Sequence, residues 1–480
     1  MKSNIENNIP LCVDLDGTLI YSDCLHESIL LAVKRRPWLI LYIPFWLITG
    51  GIVAVKSNIY KYASPNPLIL PYNEDILNYI REEKSKGRKI ILATASMQEI
   101  ADSISDHLGI FDDVIGTSAK NNLRRKKKLE ALEEKFGKKG FDYIGDSFSD
   151  IDVWKGARKA ILVNPKRNIQ KQAEFSGNVD RIFKTPKNKL KLIIKEIRVY
   201  QWVKNLLIFL PMFLAHHFYD FYSYLDALIA FFSFSFTASS VYVLNDMMDI
   251  EADREHPKKK ERPFASGELS IQSGVYLIPV LLLLGFGIAA VALPLQFLSV
   301  LFMYYILTTA YSFYLKRVYV LDLIILATLY TIRLLAGAVA TDVIISTWAM
   351  AFSMFLFLSL ALVKRFTEIK TSLKNKKKDI KGRGYRISDI DLIRSAGTSS
   401  GLLSVVILAL YLNSNEVLAL YDSPNLLYLI APLLLFWILR IWFKTDRGEM
   451  TDDPIVFTVK DLTSYIVGFL IALIIIGASL

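Results

Sequence analysis

Hydrophobic residues follow two different rhythms along this chain. Up to about Lys189, short apolar runs of strand length alternate with charged, helix-forming stretches, the pattern of a soluble α/β domain. Beyond Arg198 the apolar runs lengthen to about 20 residues, enough to cross a bilayer as helices. Nine spans are predicted, at roughly 201–219, 222–244, 273–292, 295–314, 319–341, 346–363, 393–412, 426–443 and 461–479. The polar stretch Lys184-Thr185-Pro186-Lys187-Asn188-Lys189 separates the two rhythms. The expected organisation is therefore an N-terminal Rossmann-like α/β domain over 1–187, then an all-α polytopic membrane domain of about nine transmembrane helices over 188–480.

The hydrophobic content of 53% is thus an average over two unlike parts. A net charge of +11 raises the question of nucleic acid, and the position of the charge answers against it. Loops after the even-numbered spans carry Lys258, Lys259, Lys260, Arg262, Lys316, Arg317, Lys364, Arg365 and Lys370, whereas those after spans one, three, five and seven carry no Lys or Arg. This asymmetry predicts that the basic loops and the N-terminal domain face the cytoplasm of a cell membrane and the C-terminus lies outside. Met1–Asn8 has no apolar signal core. Cys12 and Cys24 offer neither a disulfide framework nor zinc spacing.

Three strand-like runs end in chemically useful groups. Leu11-Cys12-Val13 leads into Asp14-Leu15-Asp16-Gly17-Thr18, Lys89–Ala93 ends in Thr94, and Phe141–Gly145 ends in Asp146 with Asp150 four residues on. In a parallel sheet the carboxyl ends of such strands converge. The chemistry of the set is phosphoryl transfer: Asp14 attacks phosphorus, Asp16 protonates the leaving oxygen and later activates water, Thr94 and a lysine bind phosphate, and Asp14, Asp146 and Asp150 hold Mg²⁺. The lysine is Lys128 by its spacing to Leu129–Leu132, with Lys127 next. These residues resemble the four motifs of the haloacid dehalogenase-like (HAD) phosphatases, over about 8–180. Asp16 is what the resemblance associates with phosphate hydrolysis rather than dehalogenation.

The resemblance also implies a helical cap over about 23–85. Within it, Trp38–Ala54 is as apolar as a membrane span, yet a crossing here would part Asp14 from Asp146. Two readings stay open: a cap that dips into the membrane interface with Arg35, Arg36 and Lys56 at headgroup level, or an ordinary buried helix pair.

Where the second predicted span ends, Asn245-Asp246-Met247-Met248-Asp249-Ile250-Glu251-Ala252-Asp253 runs into a basic stretch from His256 to Pro263. On one helix, Asp246, Asp249 and Asp253 share a face. Unpaired carboxylates at a membrane boundary are costly, so they make sense as Mg²⁺ ligands beside a diphosphate. Ion pairs that left no room for a metal would defeat that reading. The motif and the nine spans resemble the UbiA superfamily of polyprenyl transferases, over about 195–480. The second aspartate-rich loop usual in that family is replaced here by Lys364–Arg386, rich in Lys and Arg, which suits two phosphorylated substrates. Several stretches, among them Gln201–Asn205, Tyr311–Arg317, Leu321-Asp322, Arg333–Gly337 and Asp453–Phe457, resemble the decaprenyl-phosphate phosphoribosyltransferase branch.

That resemblance implies phosphoribosyl diphosphate and a polyprenyl phosphate as substrates. Asp246, Asp249 and Asp253 are then the catalytic, Mg²⁺-binding acids, with Asn245 orienting them. Lys204, Lys258, Arg262, Tyr311, Lys316, Asp322, Lys364 and Arg365 are candidates for binding the phosphates and sugar. Arg333 joins them as a lone cation in a span, its alternative being a bridge to a carbonyl or acid of another helix. Joined, the two parts imply transfer of 5-phosphoribosyl to the lipid followed by removal of the 5-phosphate. The rivals are prenylation of an aromatic or other small acceptor beside an unrelated phosphatase, and a transporter or scaffold with a degenerate enzyme domain.

Overall fold

The computed structural model describes residues 9–118, 122–186, 188–217, 220–374, 384–450 and 454–479. The expectations placed on Met1–Asn8, on Lys187, on 375–383, on the side chain of Lys374 and on Asp453 lie outside these residues. The chain forms two compact units, Met1–Ile197 with Val243–Leu277, and Arg198–Tyr242 with Ile278–Leu480.

The first unit is built on six parallel strands: β1 (Leu11–Val13), β2 (Ile90–Met97), β3 (Asp113–Thr117), β4 (Asp142–Gly145), β5 (Ala160–Val163) and β6 (Val179–Phe183), in the order β3-β2-β1-β4-β5-β6. Strands β1 and β5 are buried at every residue, which is why they read as continuous apolar runs and not as alternating ones; β4 is equally buried but carries Asp142, paired with Arg88 and Arg158. Leu11, Val13, Ile90, Leu92 and Ile144 pack on one face, and Cys12, Ile91, Ala93, Tyr143 and Leu162 on the other. Cys12 and Cys24 are free and buried. Cys12 pairs in register with Ile91 and Tyr143, so the carboxyl ends of β1, β2 and β4 lie side by side.

Helix Cys24–Arg35 opens the cap. It starts where the Asp23 carboxylate accepts the backbone N–H groups of Leu25 and His26, satisfying donors that a helix start leaves open. Helix Tyr42–Tyr62 follows, broken at Gly51, whose φ of +64° lies in the left-handed region. The expectation of an ordinary buried pair fails here. Only 11% of the apolar window in Pro37–Tyr62 is buried. Lys56 is also not at headgroup level: it is buried and donates to the Ala95 carbonyl at 2.5 Å.

Among the described residues, eight helices are long and apolar enough to cross a membrane, Pro37–Tyr62 being one of them. The others are Phe221–Met248, Ile271–Ala292, Leu295–Phe313, Leu321–Ala340, Thr347–Leu373, Ile387–Leu412 and Pro424–Arg447. Together with the shorter apolar helices Val199–Leu214 and Leu462–Ala478, they occupy all nine expected spans. Small residues let helices of the second unit approach closely. At Gly337 an added Cβ would lie 2.0 Å from the Ile208 carbonyl oxygen, and Ser233 Oγ donates to the Gly285 carbonyl at 2.7 Å.

Candidate active sites

The carboxyl ends of β1 and β4 bring Asp14, Asp146 and Asp150 together, each offering an oxygen within 4.8 Å of the others. Among the described residues no other group of acids, histidines or cysteines meets this geometry. Gly17 permits the approach: its φ is +77°, and a Cβ there would sit 2.4 Å from an Asp146 oxygen. Lys128 Nζ donates to Asp14 at 3.0 Å, to the Tyr143 hydroxyl at 2.8 Å and to Asp150 at 3.5 Å. Lys126 and Lys127 point to solvent. The Asp16 carboxylate accepts from the Cys24 N–H at 2.8 Å and from the Ser96 hydroxyl at 2.7 Å. Thr94 is buried and accepts the Ser96 N–H at 3.0 Å.

Burial disfavours charge on these acids, and each adds to the strain on the next. Asp14 is pushed up to about 7, by burial first and then by Asp150 and Asp16, against the pull of Lys128. Asp146 is raised well above the usual carboxylate range by burial and by Asp150 and Asp14. Asp16 is raised by burial and by Asp23. Burial works against the Lys128 charge, but Asp14 and Asp150 overcome it and raise its pKa. Three crowded acids, two of them held by one lysine, fit a divalent cation, which removes the repulsion among them.

The second acidic motif differs from expectation in two respects. It is not one helix: Phe221–Met248 ends, and Ile250–Glu255 begins with Asp249 as its cap, at φ −103° and ψ 14°. Asp competes with helical pairing through its own short side chain, which favours such breaks. The three aspartates are also ion-paired. Arg262 Nη1 bridges Asp246 at 2.9 Å and Asp253 at 2.5 Å, while Lys34 of the cap reaches Asp249 at 2.9 Å. Asp246 and Asp253 therefore converge on one cation, and Asp249 is turned to another. Burial raises the Asp253 pKa, and Arg262 opposes the shift. Asn245 is half-buried next to Asp246, and Lys258 is exposed.

Two polar clusters form inside the second unit. Arg333 is buried on Leu321–Ala340; it donates to Asn205 Oδ1 at 2.8 Å, to Tyr304 at 3.2 Å and to the Leu329 carbonyl. It also lies over the rings of Phe234, Tyr304 and Tyr330, and Lys204 sits 5.8 Å from the Tyr330 centroid. In the other cluster, fully buried Arg365 pairs with Asp322 and Glu368, and the Tyr385 hydroxyl donates to Asp322 at 2.6 Å. Tyr311, Lys316 and Lys364 are half-buried. Sequence reasoning missed Tyr143, Ser96, Asn205 and Tyr304 as partners of these groups. Tyr143 could be found from its place in β4, three residues before Asp146; nothing local marks the rest.

Residues 206–472 match the family model described as UbiA prenyltransferase family, and residues 11–155 match the haloacid dehalogenase-like hydrolase model. The chain is 40% identical to the protein y4nM of Sinorhizobium fredii over 97% of its own length and 90% of the relative's. It is 34% identical to nodulation protein NoeC of Azorhizobium caulinodans, over 56% of this chain and 87% of NoeC. It is 31% identical to decaprenyl-phosphate phosphoribosyltransferase of Mycolicibacterium smegmatis, over 58% of this chain and 88% of that enzyme.

Proposed function

Because this chain belongs to the UbiA prenyltransferase family and joins to it a haloacid dehalogenase-like hydrolase domain, we propose that it is a two-step enzyme of the membrane. In the first step a polyprenyl phosphate oxygen attacks the anomeric carbon of phosphoribosyl diphosphate, and diphosphate leaves. In the second, Asp14 takes the 5-phosphate as an aspartyl phosphate while Asp16 protonates the departing ribose oxygen. Asp16 then activates water to release phosphate, leaving polyprenyl-phosphoryl ribose.

The observation that carries this reading is the likeness to decaprenyl-phosphate phosphoribosyltransferase across 88% of that enzyme, joined in one chain to a HAD-type acid set. A product that keeps a 5-phosphate is a natural substrate for a phosphatase tethered to its source. Mg²⁺ fits Asp14, Asp146 and Asp150 as they stand. At the second motif it fits only after exchange. Arg262 and Lys34 are partly exposed, with side chains 25% and 32% accessible, so both can turn from the aspartates to phosphate oxygens when Asp246, Asp249 and Asp253 take the ion. The metal would neutralise charge developing on the leaving diphosphate. The distribution of Lys and Arg among the loops supports both sites on the cytoplasmic side, with the C-terminus outside.

The test is mass spectrometry of lipids after incubating purified protein with phosphoribosyl diphosphate, polyprenyl phosphate and Mg²⁺. Lipid-linked ribose without a 5-phosphate is expected. Consumption of a prenyl diphosphate with an aromatic acceptor instead would replace this reading with prenyl transfer.

A further inference from the structure

The cap of the phosphatase exposes a surface that neither reaction explains. Along Pro37–Tyr62, Ile48 is 85% exposed, Leu41 76% and Phe45 59%, and Trp38, Ile40 and Leu47 are exposed beside them. Contiguous apolar surface on this scale marks an interaction site, since a soluble surface scatters such residues singly. The inner side of the same segment is ordinary core: Leu39, Val55 and Ile59 pack on Leu25, Leu31 and Ala32. The outer side is therefore not an accident of a loose fold.

The segment is a hairpin and not a crossing. Its two ends meet: Arg35 donates to the Tyr62 carbonyl at 3.2 Å, and the Trp38 ring lies 6.3 Å from that of Tyr62. Gly51, at φ +64°, turns the backbone in the region between them. Chemistry is graded along the hairpin. The base holds Arg35, Arg36 and Lys61, all exposed, with Arg36 over the Tyr62 ring and a cluster of Trp38, Tyr42, Trp46 and Tyr62. Toward Gly51 only apolar residues, Thr49 and glycine remain exposed. Cations and amphipathic rings at one level with bare aliphatic side chains beyond them match the depth profile of a bilayer interface.

We infer that the hairpin Trp38–Tyr62 inserts its tip into a bilayer carrying anionic headgroups and so holds the phosphatase domain on lipid-anchored phosphate esters. The bilayer is the partner because it already surrounds this membrane chain and because the base of the hairpin is basic. The same cap segment supplies Lys56, which reaches Ala95 on the strand that carries Thr94, so seating the tip also seats a wall of the phosphatase site. The claim about lipid esters rests on the phosphatase reading above; insertion of the tip does not.

The experiment uses the full chain in vesicles of phosphatidylcholine with phosphatidylglycerol, bearing an environment-sensitive fluorophore on Ile48→Cys. Cys12 and Cys24 are buried, so labelling falls on the introduced thiol. Spin-labelled lipid should quench the probe and aqueous iodide should not, whereas Lys171→Cys on an exposed helix should behave oppositely. Quenching by iodide alone, or protection from both quenchers as under a covering protein, would overturn insertion. In a second arm, Ile48→Asp with Leu41→Asp should lower kcat/KM for a lipid-anchored phosphate monoester by at least about tenfold, the scale of a lost tether. Hydrolysis of p-nitrophenyl phosphate should persist. Equal loss on both substrates, or on neither, would refute the role in presenting lipid esters while leaving the quenching result to decide insertion.

Discussion

Lys34 Nζ lies 2.9 Å from the Asp249 carboxylate and 2.7 Å from the Met248 carbonyl oxygen. The helix that carries it, Cys24–Arg35, offers its first N–H to Asp16 and, midway, Glu27 to a two-pronged pair with Arg254. One helix of 12 residues thus touches the proposed acid–base group of the phosphatase and an aspartate of the transferase motif. Lys34→Ala should leave folding nearly untouched, within about 1 kcal/mol, because the pair is partly exposed. If Lys34 turns to the donor's phosphates, KM for phosphoribosyl diphosphate should rise about fivefold, the equivalent of about 1 kcal/mol, with kcat little changed. Steady-state kinetics of lipid product formation checks this; an unchanged KM would confine Lys34 to a structural role.

Asp246→Asn should abolish lipid-linked phosphoribose. Arg262 keeps its contact with Asp253 in this variant, so the melting temperature should stay within a few degrees of the parent. Undiminished product, read by mass spectrometry, would refute a metal role for Asp246. By contrast, Asp14→Asn should let the phosphorylated lipid accumulate while phosphate release falls by about three orders of magnitude or more, the scale for losing a nucleophile.

The raised pKa of Asp14 makes a prediction about pH and metal. Its folded value of about 7 exceeds the unfolded 3.8, so without metal the folded state holds a proton that the unfolded state has released between those values. Stability of the metal-free protein should therefore fall as pH rises from about 4 through about 7. If Mg²⁺ binds the ionised acids, it should reverse the trend. The rise in melting temperature on adding Mg²⁺ should consequently be larger at pH 8 than at pH 5.5. A pH-independent rise would show that these acids are not the ion's ligands.

Arg365 and Asp322 are both fully buried, and removing one partner strands the other. Arg365→Met should destabilise by about 3–5 kcal/mol, and Asp322→Asn combined with Arg365→Met should recover much of that loss. Thermal unfolding of the two variants in detergent tests the coupling. Equal melting temperatures for the single and double variants would show that the stranded Asp322 is not the source of the loss.

Much of the molecule was legible from residue order alone, for a physical reason: period, length and chemistry are local properties. Buried parallel strands announce themselves as short apolar runs, bilayer-spanning helices as long ones, and Asp-x-Asp-Gly-Thr stands where a strand ends. What was not local was not legible. Lys128 was legible from its spacing, but its simultaneous hold on Asp14, Asp150 and the Tyr143 hydroxyl is set by the fold. The break at Asp249 sends its carboxylate to a lysine 215 residues away, and folding groups Val243–Leu277, the loop between two predicted spans with their adjoining ends, with the N-terminal unit. Partner choice among charges depends on distances through space, and only the folded chain sets those: it gave Asp322 to Arg365, Arg333 to Asn205 and Tyr304, and left the tip of the cap bare.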